Sequence, residues 1–238
     1  MSIWFEHRMC RWKSGRWLAL MLIGVGASGC GEQVIDAPPA KVAVESSLFR
    51  ILDVNVPPRT TLKHAYKNPV VMVAMTDGAR IRMNTSGGDW AQESSPALGS
   101  VTVAEAGEHG VQNVGERGFH LLALENLRQG GGSAAGSAAH NGMNLAGESG
   151  SFRVYDAQLT DKKSQIHHVH AAPAVAILIK GRMLSQGPEN KDKTIGEVPS
   201  GLKQLDQPGQ WVFVPAGEPH YVVRLGADSA HVIEVELQ

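Results

Sequence analysis

Short runs of β-branched and aliphatic residues, broken by glycine, proline, asparagine or aspartate, recur along most of the chain. FRVYDAQL from Phe152, AVAILIKG from Ala174, WVFVPAG from Trp211, YVVRLG from Tyr221 and HVIEVEL from His231 are of this kind. Residues that suit a pleated, half-buried surface, bounded by turn formers, predict strands. Outside the N-terminal segment no window carries apolar residues at sustained helical spacing. Many short strands with turn signals between them predict an all-β chain built as a sandwich or barrel.

The strand pattern occurs twice. FRILDVNV from Phe49 echoes FRVYDAQL from Phe152 at a shift of 103 residues, and His64 with Pro69 echoes His168 with Pro173 at a shift of 104. His109, Gly115, His120 and Glu125 map onto His220, Gly226, His231 and Glu236 at a shift of 111. Matched landmarks whose offset grows only between strands indicate an internal duplication. Residues 49–127 form the first unit and 151–238 the second. Residues 128–150, dense in Gly, Ala and Ser, read as a flexible linker.

The first thirty residues follow a different rule. Arg8, Arg11, Lys13 and Arg16 precede an apolar run from Trp17 to Gly29, which ends in small residues and Cys30. A basic segment, a short apolar segment and a small-residue end make a secretory signal over residues 1–29. The run is shorter than the roughly 20 residues a spanning helix needs. Its end, ASGC, resembles the lipobox of bacterial lipoproteins, with Ala27 where that family usually has leucine. The resemblance implies lipidation of Cys30, a tether over residues 30–48 and attachment to a membrane through lipid chains. Gly31 stands where an aspartate would favour the inner membrane, so an outer-membrane anchor on the periplasmic side is expected in a Gram-negative cell. A plain secretory signal and an uncleaved anchor are the alternatives.

Cysteine use agrees with that expectation. The two cysteines are Cys10 and Cys30, so cleavage before Cys30 leaves one and no internal disulfide. The whole chain carries a formal charge of −1, and the part from Cys30 onward −4. Such a balance offers no basic field for phosphates and argues against nucleic acid as a partner. Glycine-rich stretches are present, but none joins a strand to a helix as a phosphate loop would.

The candidate chemistry lies in histidines. In QIHHVH, strand alternation sends His168 and His170 to one side and His167 to the other. GQWVFVPAGEPH places His220 after a Pro-x-Gly turn. This pairing resembles the cupin superfamily, whose motifs are G-x5-H-x-H-x3,4-E-x6-G and G-x5-P-x-G-x2-H-x3-N. The second is matched at Gly209, Pro215, Gly217 and His220, the first at His168, His170 and Gly181. Ala174 stands at the family's glutamate position and Arg224 at its asparagine. The resemblance implies two cupin-like double-stranded β-helix (jelly-roll) barrels, a bicupin, with pairing of two copies into a homodimer through edge strands. It also implies a divalent transition metal (Fe, Zn, Mn, Ni or Cu) on His168, His170 and His220. Without the carboxylate such a site carries one more positive charge and favours an anionic ligand.

The first unit is degenerate. His64 and His109 persist, but Tyr66 replaces the second histidine and Val70 the glutamate, leaving His64, Tyr66 and His109 around a weaker second cavity. His120 and His231, at one repeated mid-strand position, read as structural. Two functions remain open: a membrane-anchored binding module for a small polar or anionic ligand, and a metal-dependent enzyme of dioxygenase or isomerase type. The cupin fold alone does not choose between them.

Overall fold

The computed structural model describes residues 33–34, 40–85, 88–128 and 142–238. The proposed signal peptide, Cys30 and most of the Gly/Ala/Ser-rich segment lie outside the described residues. Every described element is a strand. Those of the first unit are β1 Gln33–Val34, β2 Lys41–Glu45, β3 Phe49–Val56, β4 Thr60–Tyr66, β5 Val70–Ala74, β6 Ile81–Thr85, β7 Val101–Ala104, β8 Gly107–Asn113 and β9 Phe119–Asn126. Those of the second are β10 Asn144–Glu148, β11 Phe152–Leu159, β12 Gln165–Val169, β13 Ala174–Lys180, β14 Met183–Gln186, β15 Lys203–Leu205, β16 Trp211–Val214, β17 Pro219–Arg224 and β18 Ala230–Leu237.

Each unit is a pair of sheets with one shared plan. The orders β2-β3-β9-β5-β7 and β10-β11-β18-β13-β16 are the same sheet drawn twice. The opposing sheets, β1-β4-β8-β6 and β12-β17-β14-β15, match through β4/β12, β8/β17 and β6/β14. The duplicated sequence is therefore a duplicated jelly-roll barrel. Lys41–Glu45 and Asn144–Glu148 fall in segments read from sequence as tether and linker, yet they are edge strands paired with β3 and β11. Their side chains are mostly exposed, so backbone pairing rather than an apolar face holds them.

Strand alternation sorts the side chains of the five-stranded sheets into separate cores. From β9, Phe119, Leu121 and Ala123 fill barrel 1, and from β18, Ala230 and Val232 fill barrel 2. The intervening Leu122 and Leu124, with Ile233, Val235 and Leu237, meet in a third core between the barrels. There Phe49 stacks on Phe213 at 5.9 Å and meets the edge of Trp211 at 5.8 Å. Burying a side chain of this size is worth about 1.5–3 kcal/mol, so the contact between barrels is a main source of stability.

Two glycines fix turns of barrel 2. Gly181 has φ +81°, and a Cβ there would come within 2.3 Å of the Ser229 carbonyl oxygen, so only glycine fits. Gly217, at φ +80°, donates its N–H to the His170 carbonyl at 2.9 Å and ties the Pro-x-Gly turn to the end of β12.

Candidate metal centre

The site is built from the inner wall of barrel 2. His168 on β12 lies directly opposite His220 on β17 in the antiparallel register, and His170 follows the end of β12. All three are buried, while His167 faces outward and is exposed. The inner wall below them is apolar, formed by Ile166, Met183, Leu205 and Val222.

The fourth member is Glu234 of β18, which sequence reasoning missed. Its carboxylate Oε2 lies 2.7 Å from His168 Nε2 and 2.8 Å from His170 Nε2, and Oε1 is 3.7 Å from His220 Nδ1. The two Nε2 atoms are 3.0 Å apart, and His220 Nδ1 is 3.4 Å from His168 Nε2. The expectation of a three-histidine site without a carboxylate is corrected by this geometry. Ala174 does leave the usual position without an acid, but β13 pairs with β18, and Glu234 sits opposite Ala176 on that neighbouring strand. The acid has moved across one strand. A divalent ion here would leave the site at +1 rather than +2.

The residues fit a metal. Two ligand atoms each about 2.1 Å from one ion and about 90–109° apart are separated by about 3.0–3.4 Å. The donor atoms of His168, His170, His220 and Glu234 all lie within 4.8 Å of one another. Glu234 Oε1 is buried without a hydrogen bond. A carboxylate in this setting accepts a cation as readily as imidazolium protons. Burial pushes the Glu234 carboxyl up, but His168 and His220 beside it, with hydrogen bonds from His168 and His170, outweigh burial and hold it well below the usual range. Burial pushes His220 down to about 4, with Glu234 pulling against it. Imidazole nitrogens and a carboxylate, once free of protons, are the donors a divalent ion requires.

An outer layer holds these groups in place. Ser185 of β14 sets its Oγ 2.9 Å from His220 Nε2 and is itself buried. With Nδ1 turned to the cluster, Nε2–H donates to the hydroxyl and fixes the tautomer. Glu236 Oε1 stands 3.8 Å behind His170 Nδ1, and its carboxylate accepts from Ala172 N–H and from Gln238 Nε2. On the same strand line as Ser185, Gly187 presents no side chain. A Cβ there would reach His220 Cδ2 at 3.4 Å, so glycine leaves space beside that ring.

Barrel 1 assembles the corresponding rings without the chemistry. His64 lies opposite His109, and Tyr66 packs 4.6 Å from His64 and 5.3 Å from His109 between ring centroids. At the shift of 111, Ala123 stands where barrel 2 has Glu234, and His109 Nε2 turns to the Glu105 carbonyl at 2.8 Å. Among the described residues the cluster in barrel 2 alone gathers three or more potential metal donors. Glu125, the counterpart of Glu236, accepts from the Lys67 and Asn68 backbone N–H groups, from Asn68 Nδ2 and from Arg50. His120 pairs with Asp53 at 2.9 Å and His231 with Asp156 at 3.2 Å, on the outer faces of their barrels.

No protein-family model matches the chain, and no curated protein matches it. Solved structures do. AerE from Microcystis aeruginosa is similar at 12% identity and a TM-score of 0.55, over 80% of this chain and 87% of that one. A formate complex of oxalate decarboxylase from Lactobacillus farciminis is similar at 10% identity and a TM-score of 0.53, over 83% of each chain. The fold is that of the two-barrel cupins. Salicylate 1,2-dioxygenase from Pseudaminobacter salicylatoxidans is similar too, at 10% identity and a TM-score of 0.52, over 80% of this chain and 71% of that one. At these identities the likeness concerns architecture. In this chain, a cluster able to hold a divalent transition metal sits in the second barrel.

Proposed function

We propose that this bicupin is a metal-dependent enzyme acting on a small oxygen-bearing anion, a carboxylate or enolate, at the His168, His170, His220 and Glu234 centre of barrel 2. The observation that carries the reading is the convergence of three imidazoles and one carboxylate, all buried, in one barrel interior. A carboxylate among imidazoles suits Fe²⁺ or Mn²⁺ as well as Zn²⁺, Ni²⁺ or Cu²⁺. When bound, such an ion supplies Lewis-acid polarisation of an oxygen ligand. The chain's own residues do the rest. Ser185 holds His220 in orientation, the apolar wall of Ile166, Met183 and Val222 excludes water, and Gly187 leaves room beside His220. The residual positive charge favours an anion. Two of the similar structures are named for small carboxylates, oxalate and salicylate.

A binding module that presents the same ligand without turnover is the second reading. The near-complete burial of the cluster supports it, since the side chains of His168, His170 and Glu234 are 0% exposed. In either case the segment before the barrels is proposed to export the chain and to anchor it by lipid at Cys30 on the periplasmic side of an outer membrane.

Metal analysis of the purified protein tests the centre. Wild type should carry one transition metal per chain, and a His168→Ala, His220→Ala double variant should carry none. Equal trace metal in both would end the reading. Turnover of small carboxylates by the metal-loaded protein separates enzyme from binding module. Cys30→Ser should move the chain out of the membrane fraction; persistence there would count against the anchor.

A further inference from the structure

The outer faces of the two four-stranded sheets differ at equivalent positions. On barrel 2, His167 and Tyr221 are register partners, and their rings stack in parallel, 4.2 Å apart at 9°. That face closes on itself. On barrel 1 the repeat places Lys63 at the position of His167, at a shift of 104, and Gly110 at the position of Tyr221, at a shift of 111. They are again register partners, and neither brings a ring.

A ring arrives from elsewhere. After β6 the chain returns alongside that strand, with Ala91 N–H donating to the Met83 carbonyl at 2.8 Å. This sets the Trp90 indole over Gly110, where a Cβ would come within 2.6 Å of Cη2. Glycine at 110 is what lets the indole lie against the sheet. The result is a cavity of about 210 Å³ walled by Lys63, Ala65, Asn84, Trp90, Glu108 and Gly110, with His64 and His109 also on its lining. Lys63, Ala65 and Glu108 are exposed and alternate with the inward His64 and His109.

We infer that this cavity on the outer face of barrel 1 is a saccharide site that takes a single pyranose ring against Trp90. Its volume is below the range of about 300–1,000 Å³ typical of larger ligands, which limits the occupant to one ring. Trp90 offers an apolar π-face for the C–H face of a sugar. Lys63 supplies donors and Glu108 acceptors, and neither side chain makes a hydrogen bond or ion pair with another described residue. One charge of each sign selects against a net-charged ligand and suits a neutral ring bearing hydroxyl groups, which both donate and accept. The inference does not depend on the metal centre, which lies inside the other barrel.

Saturation-transfer difference NMR on the full chain tests it, with methyl glucoside, methyl galactoside and N-acetylglucosamine as probes. Transfer to the ring protons of at least one probe is expected, with a dissociation constant on the order of 1 mM. Trp90→Ala and Glu108→Gln should each weaken that binding by about tenfold or more, the loss expected for a stacking platform or a charged hydrogen bond. His168→Ala, in the metal centre, should leave it unchanged. Glu108 is exposed, so its variant reports on the site even if Trp90→Ala disturbs the loop. No transfer to any probe at about ten times that concentration overturns the inference. So does a signal that survives both variants, or a phenol probe that binds more tightly than every saccharide.

Discussion

Glu234→Gln is the most informative single change. It keeps the volume of the side chain and removes its charge and one of its two acceptor oxygens. Two contacts of 2.7 and 2.8 Å to His168 and His170 lose their ionic character, at about 1.5–3 kcal/mol each for hydrogen bonds to a charged group. The desolvation that burial imposes on the carboxylate is relieved at the same time. Metal-free stability should therefore change by less than the sum of those two contacts. Metal affinity has no such offset. Loss of an outer-layer partner costs about 10–100-fold, and a ligand itself should cost at least about 100-fold, or about 2.7 kcal/mol. Titration of the metal-free protein with Mn²⁺ or Fe²⁺ by calorimetry, or by competition with a chelator, reads this directly. Glu125→Gln in barrel 1 is the control. If Glu234→Gln binds metal within about threefold of wild type, the carboxylate is not a ligand and the four-donor centre is wrong.

Other consequences are as direct. Ser185→Ala should weaken metal binding by about 10–100-fold while thermal unfolding without metal changes little; unchanged affinity would deny Ser185 a role in orienting His220. Glu125→Ala should lower stability by about 3–5 kcal/mol in urea unfolding, because Arg50 and two backbone N–H groups lose a buried acceptor. Metal-free protein should lose stability as pH falls from 6.5 toward about 4, because unfolded His220 takes up a proton at its ordinary value and the folded one resists until about 4. The unfolded state then binds more protons, stability falls with falling pH, and the shift is worth about 3 kcal/mol. Depression of Glu234 extends the loss below pH 4.5 in the same direction. A midpoint flat across that range in His220→Gln but not in wild type would assign it. Gly181→Ala should destabilise barrel 2 by about 1–3 kcal/mol, read as a lower melting temperature.

The fold was legible because duplication and alternation are local properties of a sequence. Phe49 and Phe152, or Glu125 and Glu236, can be matched without knowing where any strand lies. His220 was legible for a similar reason, since Pro215 and Gly217 mark its turn. Glu234 was not, because its role depends on β13 pairing with β18, nearly sixty residues later in the chain. Ala174 on β13 is the expected place for the acid, and the acid stands instead on the neighbouring strand β18. A signal was present nonetheless: Glu234 and Glu236 share one face of HVIEVEL, and a carboxylate in a strand buried on both sides must have a partner. Strands Lys41–Glu45 and Asn144–Glu148 were not legible, because an edge strand held by its backbone leaves little mark in its side chains.

β9 and β18 each carry two independent rows of side chains, one lining a barrel and one joining the barrels. A substitution in the first row leaves the second untouched. Barrel 1 can therefore carry Ala123 where barrel 2 carries Glu234 and still offer the same joining surface through Leu122 and Leu124. Barrel 2 thus has a permanent companion whose interior is free to change, and chemistry can be lost from one half without loosening the whole.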